Sequence, residues 1–105
     1  MHEYLKNHII EELEGAEDYW SKAVEHKGTE AGCIFRRMAE MELEHANALL
    51  KMFNKLKDDN ESEVSSTTTM KGVETKEHMY KEILEAYTEK MTKIEHMKKL
   101  YWKEE

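Results

Sequence analysis

The chain has no proline, only four glycines and only three aspartates, against twenty glutamates, in 105 residues. Proline and glycine interrupt helices, and aspartate prefers caps and turns, so these shortages favour an all-α protein. Leucine, isoleucine, valine and phenylalanine together supply only 18 residues. Because so small a domain builds a limited core by itself, we expect a single domain that gains stability by forming a homodimer or a higher homo-oligomer.

Other absences limit the class of protein. The single Cys33 excludes an internal disulfide, a zinc cluster and a redox pair of cysteines. No stretch approaches the roughly 18 consecutive apolar residues that a transmembrane helix needs, and the N-terminal segment lacks the apolar core of a signal peptide. The net charge is -7, with lysines interleaved among glutamates, which argues against nucleic-acid binding. We therefore expect a cytoplasmic protein that binds neither membrane nor nucleic acid.

Turn-forming residues divide the chain into three predicted helices. Gly28 followed by Thr29 is typical of a helix end and the cap of the next helix. A polar run from Asp58 to Thr69 predicts a connection rather than packed structure. The predicted helices span about residues 3–26, 30–57 and 72–102, with a linker over 58–71. We find no internal repeat and no second domain.

One face of the first helix is apolar, and Glu12 lies at its edge. At about 100° per residue, Glu11 and Glu14 point away from this face. Tyr19 follows Glu12 by two turns on the same side, so its hydroxyl is predicted to reach whatever Glu12 contacts. The apolar residues of the face are Leu5, Ile9, Leu13, Ala16, Trp20 and Ala23.

The second helix places two polar residues inside its apolar face. Glu42 and His45 straddle the centre of that face, so both are expected to be buried, whereas Glu40 and Glu44 fall on the opposite side. A buried carboxylate is costly unless a metal, a cation or a set of hydrogen bonds compensates its charge. The apolar face comprises Ala31, Ile34, Phe35, Met38, Leu49, Met52, Phe53 and Leu56.

Folding the two helices into an antiparallel hairpin about Gly28 brings these polar residues to one level. Glu12 lies 16 residues before Gly28, while Glu42 and His45 lie 14 and 17 residues after it. At about 1.5 Å per residue, Glu12 is level with the gap between the other two. Two carboxylates and an imidazole are ligands suited to iron or manganese, so Glu12, Glu42 and His45 are the predicted metal ligands.

The third predicted helix does not supply a second set of ligands. Its apolar face is centred on tyrosines, methionine and aliphatic residues, and Glu42 to His45 is the one Glu-x-x-His step in the sequence. A bundle di-metal site uses four glutamates and two histidines, so one chain holds half of such a site. A twofold homodimer would supply the other half and complete a four-helix bundle.

The segment 10–19, IEELEGAEDY, is followed by residues 42–46, ELEHA, with 30 residues separating the two glutamates. These motifs resemble the encapsulated-ferritin and rubrerythrin-like branch of the ferritin-like superfamily over about the first half of the chain. The resemblance implies that Glu12, Glu42 and His45 bind iron, that Glu42 bridges two ions, and that Tyr19 lies beside the centre.

The resemblance also implies a function. At a di-iron centre in each dimer interface, Fe(II) would be oxidised by dioxygen or peroxide. Manganese or zinc are other possible metals. Tyr19 would be a hydrogen-bond donor or a one-electron donor. The tail 98–103 lacks the apolar cargo-targeting signature of encapsulated ferritins, which argues against loading into an encapsulin shell.

Two alternatives remain open from the sequence. Glu42 and His45 can form a buried hydrogen-bonded pair without metal. The chain can also be a metal-free helical oligomer that acts as a protein-interaction or accessory module. The remaining histidines are expected at the surface, and most methionines are expected to fill the core.

Overall fold

The computed structural model describes residues 1–57 and 75–103, which form three α-helices and no strand. Helix α1 spans His2–Glu25, α2 spans Glu30–Lys55 and α3 spans Lys76–Trp102. The predicted linker, and residues 72–74 of the predicted third helix, lie outside the described residues. Thr75 is the N-cap of α3, with the threonine hydroxyl accepting a hydrogen bond from the backbone N–H of His78 at 3.0 Å.

The turn between α1 and α2 follows the predicted cap chemistry. Gly28 has a φ of 85°, a left-handed conformation that glycine adopts without strain. Thr29 then caps α2, accepting a hydrogen bond from the backbone N–H of Gly32 at 3.1 Å. A side chain at position 32 would overlap the carbonyl oxygen of His26. The short turn and the absence of that side chain together let α1 and α2 pack as an antiparallel hairpin.

The apolar face predicted for α1 is confirmed. All six of its residues are at most 1% exposed. They form the centre of two clusters, one around Phe53 of α2 and Ile83 of α3, the other around Trp20 and Ile94. Helix α1 is therefore the central helix, packed against both of the others.

The face that α2 turns towards α1 differs from the predicted one. Its buried residues recur every seven positions at Gly32, Ala39, Ala46 and Phe53. Small residues at this spacing let the two helix backbones approach closely. Part of the predicted apolar face is consequently left outside the hairpin: Ile34 is 43% exposed and Met52 is 49% exposed.

Helix α3 lies against the side of α1 that faces away from Glu12. Two partly buried ion pairs fix it there: Lys6 Nζ lies 2.9 Å from Glu82 Oε1, and Lys90 Nζ lies 2.8 Å from Glu17 Oε1. Lys6 and Glu17 are about 120–140° from Glu12 around α1. The third helix thus covers the back of the hairpin and leaves the Glu12 side uncovered.

Three other sequence predictions are wrong in detail. The predicted apolar face of α3 comprises Tyr80, Ile83, Leu84, Tyr87, Met91, Ile94 and Tyr101. Ile83 is buried as predicted, but Tyr80 and Leu84 are 37% and 43% exposed, because α3 turns Met79 together with Ile83 towards α1. His2, predicted at the surface, is buried with its ring edge-on to Phe53 at 4.8 Å between centroids. Met41 and Met52 are exposed rather than in the core. A wheel diagram reports which residues share a face, but not which neighbouring helix meets that face.

Among the described residues, no helix is both long enough and apolar enough to cross a membrane.

Candidate metal centre

The three predicted ligands come together in the structure. Glu12 of α1 and Glu42 and His45 of α2 each offer one ligand atom, and these atoms lie within 4.8 Å of one another. The hairpin register set by Gly28 and Thr29 produces this convergence. Within residues 1–57 and 75–103, no other group of three or more histidines, cysteines or acids is arranged in this way.

Glu12 is the most enclosed of the three residues. Its side chain is 15% exposed, and its Oε1 atom is buried without a hydrogen-bond donor among the described residues. The nearest imidazole nitrogen, Nδ1 of His45, is 3.5 Å from that oxygen. A buried carboxylate oxygen with no donor is destabilising unless a positive charge compensates it. The donor set therefore fits a divalent cation.

The carboxyl of Glu42 is affected by the negative charge of Glu12. Hydrogen bonding between the two groups raises the pKa of Glu42 to about 7, with further contributions from burial and from repulsion by Glu12. The nearby rings of His45 and His8 oppose this increase. Two negative charges side by side are energetically unfavourable. A divalent ion bound between the two carboxylates would stabilise their ionised forms.

His45 lies at the open edge of the site. Its side chain is 55% exposed, so the prediction that Glu42 and His45 are both buried is wrong for His45 and only partly right for Glu42, which is half-buried. The reason is the rotation of α2 described above, which turns the small residues towards α1 and His45 towards the uncovered side. The imidazole still reaches Glu12 from that side.

Two residues beside the centre were missed by the sequence prediction. Gly15, one turn after Glu12, faces Glu42, and a methyl group there would lie 3.1 Å from Glu42 Oε2. His8, predicted at the surface, has its Nε2 atom 3.5 Å from Glu12 Oε2. The signal for both was helical spacing, because positions three and four residues from Glu12 lie on the same side of α1.

Tyr19 packs one level away from the three ligands. Its ring stacks on Phe35 with centroids 6.2 Å apart and planes inclined by 25°. Tyr19 and Phe35 each lie seven residues from Glu12 and Glu42 respectively, in the same direction along the hairpin. That spacing corresponds to about 10 Å along the helix axes. The predicted role of Tyr19 at the centre therefore stays a prediction.

Comparison with known protein families agrees with the ligand geometry. The family model for rubrerythrin matches residues 3–105. The chain belongs to the rubrerythrin family. The match includes α3, so the relationship extends beyond the first half of the chain, where the sequence motifs had suggested it. Neither the curated proteins nor the solved structures provide a significant match.

Membership of the rubrerythrin family relates Glu12, Glu42 and His45 to the metal sites of ferritin-like proteins. Rubrerythrins are ferritin-like helical proteins, and a ferritin-like di-metal site is built from glutamates and Glu-x-x-His steps on facing helices. Glu42 and His45 form such a step, and Glu12 is the facing glutamate. The all-α hairpin and its carboxylate and imidazole group are therefore those of a metal-binding rubrerythrin-like fold.

The raised pKa of Glu42 predicts how the stability of the metal-free protein depends on pH. A carboxyl whose pKa is higher in the folded state than in the unfolded chain is favourable at low pH, and its contribution is lost as the pH rises towards about 7. Glutamine resembles the protonated acid but cannot ionise. We expect Glu42→Gln to match the wild type in Tm at pH 4.5 and to exceed it by several degrees at pH 8.

Thermal unfolding at fixed protein concentration, after removal of metal with a chelator, measures this difference. A change of about 1 kcal/mol in the free energy of unfolding shifts the Tm of a domain of this size by roughly 4–8 °C. Glu44→Gln, on the exposed side of α2, is the control and should show no such pH-dependent gain. An equal effect of Glu42→Gln at both pH values would contradict the prediction.

Proposed function

We propose that this chain is a ferritin-like di-iron oxidoreductase whose metal centre is shared by two copies of the chain, and that it oxidises Fe(II) with dioxygen or peroxide. The observation that carries the proposal is the buried Glu12 oxygen, which has no donor in the described part of the chain and faces Glu42 and His45. Family membership supports a di-metal carboxylate centre. Iron is favoured by the donor set and the family, although manganese or zinc would fit the same donors.

The count of ligands supports sharing between two chains. A di-metal centre in a helical bundle uses four glutamates and two histidines, whereas the group in this chain has two glutamates and one histidine. In a twofold dimer the same patch of each subunit meets its copy, so the set is doubled. Two hairpins then form the four-helix bundle in which such centres occur.

The outward face of α2 supports the same arrangement. Ile34, Met41 and Met52 are 43%, 52% and 49% exposed, and all three lie within about 40° of His45 around the helix. Exposed apolar side chains that lie together indicate an interaction surface. Because this surface carries His45, a second hairpin packed on it would enclose the imidazole together with the metal.

The position of α3 leaves room for that partner. Its ion pairs to Lys6 and Glu17 hold it behind the hairpin, on the side away from Glu12. We infer a dimer with a central bundle made of α1 and α2 from each subunit, and with the two α3 helices outside it.

The residues of the centre would have different roles in binding the metal ions and in positioning the ligands. When bound, a pair of iron ions supplies the electrons that reduce the oxidant. Glu12 and Glu42 would hold the ions and neutralise their positive charge, and His45 would add a nitrogen donor from the open side. Gly15 leaves the space that the carboxylate of Glu42 needs beside α1. Tyr19 would donate a hydrogen bond or an electron from a position two helical turns beyond Glu12.

Metal content after anaerobic loading with Fe(II) tests the proposal. We expect about two irons per dimer by elemental analysis, the number that a bundle di-metal centre holds. Glu42→Ala and His45→Ala remove ligands and should lose most of that iron. Glu44→Ala is the matched control because Glu44 lies between these two residues in sequence but is exposed on the other side of α2, and it should keep the iron.

Binding of no metal by a stable oligomer would contradict the proposal. It would favour the alternative of a metal-free helical module that binds a protein partner. Iron retained by Glu42→Ala and lost by Glu44→Ala would also contradict the assignment of the ligands.

The dimer surface is tested by placing a charge on it. Ile34→Glu would bury a carboxylate in the proposed interface, so we expect the mass in light scattering to fall to that of one 12.5 kDa chain. Leu84→Glu on α3 is the control, since Leu84 and Ile34 are both 43% exposed. Monomers produced by Leu84→Glu but not by Ile34→Glu would instead indicate an interface on α3.

The predicted role of Tyr19 is tested by Tyr19→Phe, which keeps the ring on Phe35 and removes only the hydroxyl. We expect unchanged iron content and Fe(II) oxidation slowed by about 10-fold, as for loss of a residue that supports a metal centre indirectly. Stopped-flow absorbance measures the rate, with Tyr80→Phe on α3 as the control. An unchanged rate and unchanged transient spectra would eliminate a role for the Tyr19 hydroxyl.

A further inference from the structure

The carboxylate of Glu12 faces an imidazole at each of its two oxygens. Oε1 lies 3.5 Å from Nδ1 of His45, and Oε2 lies 3.5 Å from Nε2 of His8. The first imidazole comes from α2, and the second comes from the preceding turn of α1. The two histidines thus approach different oxygens of Glu12. His45 belongs to the Glu-x-x-His step and to the group whose ligand atoms lie within 4.8 Å of one another, whereas His8 lies outside that group.

The separation between His8 and Glu12 suits two ligands of one ion. Imidazole nitrogen and carboxylate oxygen each bind a divalent transition metal at about 2.1 Å. Two such atoms lie about 3.0 Å apart when the angle at the metal is about 90°, and about 3.4 Å apart when it is about 109°. The observed 3.5 Å is close to the second value and is long for a direct hydrogen bond.

The other nitrogen of the His8 ring also has a carboxylate beside it. Nδ1 of His8 lies 3.4 Å from Oε1 of Glu11. A histidine that binds a metal through one nitrogen commonly donates its other N–H to a carboxylate, which fixes the tautomer and the orientation of the ring. The Glu11, His8 and Glu12 groups follow this order. Glu11 is 71% exposed, and its 3.4 Å separation from Nδ1 is an ion-pair contact rather than a close hydrogen bond.

An aromatic ring of the same helix packs beside His8. The ring of Tyr4 stacks on it with centroids 5.7 Å apart and planes inclined by 11°. The side chain of His8 is 38% exposed. His78 on α3 makes a comparable approach to Glu82, four residues later, at 3.7 Å, but it is 58% exposed and lies on another helix from the centre.

We propose that His8 is an additional nitrogen ligand of the metal centre, binding through Nε2 to the ion held by Glu12. This inference rests on the proposed function, because it requires metal at Glu12. Each chain then supplies two carboxylates and two imidazoles. The extra imidazole shifts the preference of the centre towards metals that favour nitrogen, such as Zn²⁺ and Fe²⁺, and away from Mn²⁺.

Calorimetric titration of the metal-free full-length protein with Zn²⁺ and separately with Mn²⁺ tests the assignment. We expect His8→Ala to weaken Zn²⁺ binding by about 10- to 100-fold and to weaken Mn²⁺ binding less. His8→Gln retains a side chain that can donate a hydrogen bond to Glu12 but lacks the imidazole nitrogen, and it should behave like His8→Ala. His78→Ala, which removes the comparable histidine on α3, should bind both metals as the wild type does.

Circular dichroism of each variant checks that the helices are intact. Wild-type Zn²⁺ affinity in His8→Gln would overturn the assignment, since His8 would then act only by positioning Glu12. Unchanged affinity in His8→Ala would overturn it as well. Glu42→Ala separates the proposed metal centre from the proposed role of His8. If Glu42→Ala abolishes Zn²⁺ binding while the His8 variants bind Zn²⁺ normally, the metal centre is supported and His8 is not a ligand. If the wild type binds neither metal, both fail.

Discussion

The carboxylates of Glu12 and Glu42 meet in the contact between α1 and α2, where one Glu12 oxygen is buried with no donor from residues 1–57 or 75–103 and a second negative charge is unfavourable. The free energy of this hairpin therefore depends on what neutralises the pair. In the metal-free protein the raised pKa of Glu42, about 7, favours a proton on this carboxyl at lower pH, and a divalent cation would neutralise the pair more completely. The neighbouring residues are arranged around this requirement, with Gly15 leaving space on one side and His8 and His45 approaching on the other.

Helix α2 has small buried residues on the face towards α1 and larger apolar residues on an exposed face. The small residues Gly32, Ala39 and Ala46 face α1 and bring the two backbones close enough for the carboxylates to meet. The larger apolar residues Ile34 and Met52 remain exposed beside His45. These small residues of α2 bury little area themselves. Helix α3 adds Ile83 and Ile94 to the core on one side, and the proposed second subunit would supply the contact on the other. Stability and metal binding would then depend on the same association.

The convergence of Glu12, Glu42 and His45 could be predicted because it depends on local spacing and on one turn. Helical periodicity placed Glu12, Glu42 and His45 on inward faces, and the Gly28 and Thr29 turn set the register that brings them to one level. The apolar face of α1 was also predictable, because that helix is surrounded on both sides and every apolar residue of its stripe is buried. His8 could have been found by the same spacing, since it precedes Glu12 by one turn.

The sequence by itself determined the three helices, the hairpin and the identity of the group that converges on Glu12. Only the tertiary structure decided which half of the broad apolar face of α2 meets α1, and therefore that His45 lies at an open edge. It also decided that α3 packs behind the hairpin, through Lys6 and Lys90, instead of over the centre. The physical reason is that periodicity fixes a side chain's direction around its own helix, whereas the side on which another helix packs depends on long-range contacts between small residues and paired charges.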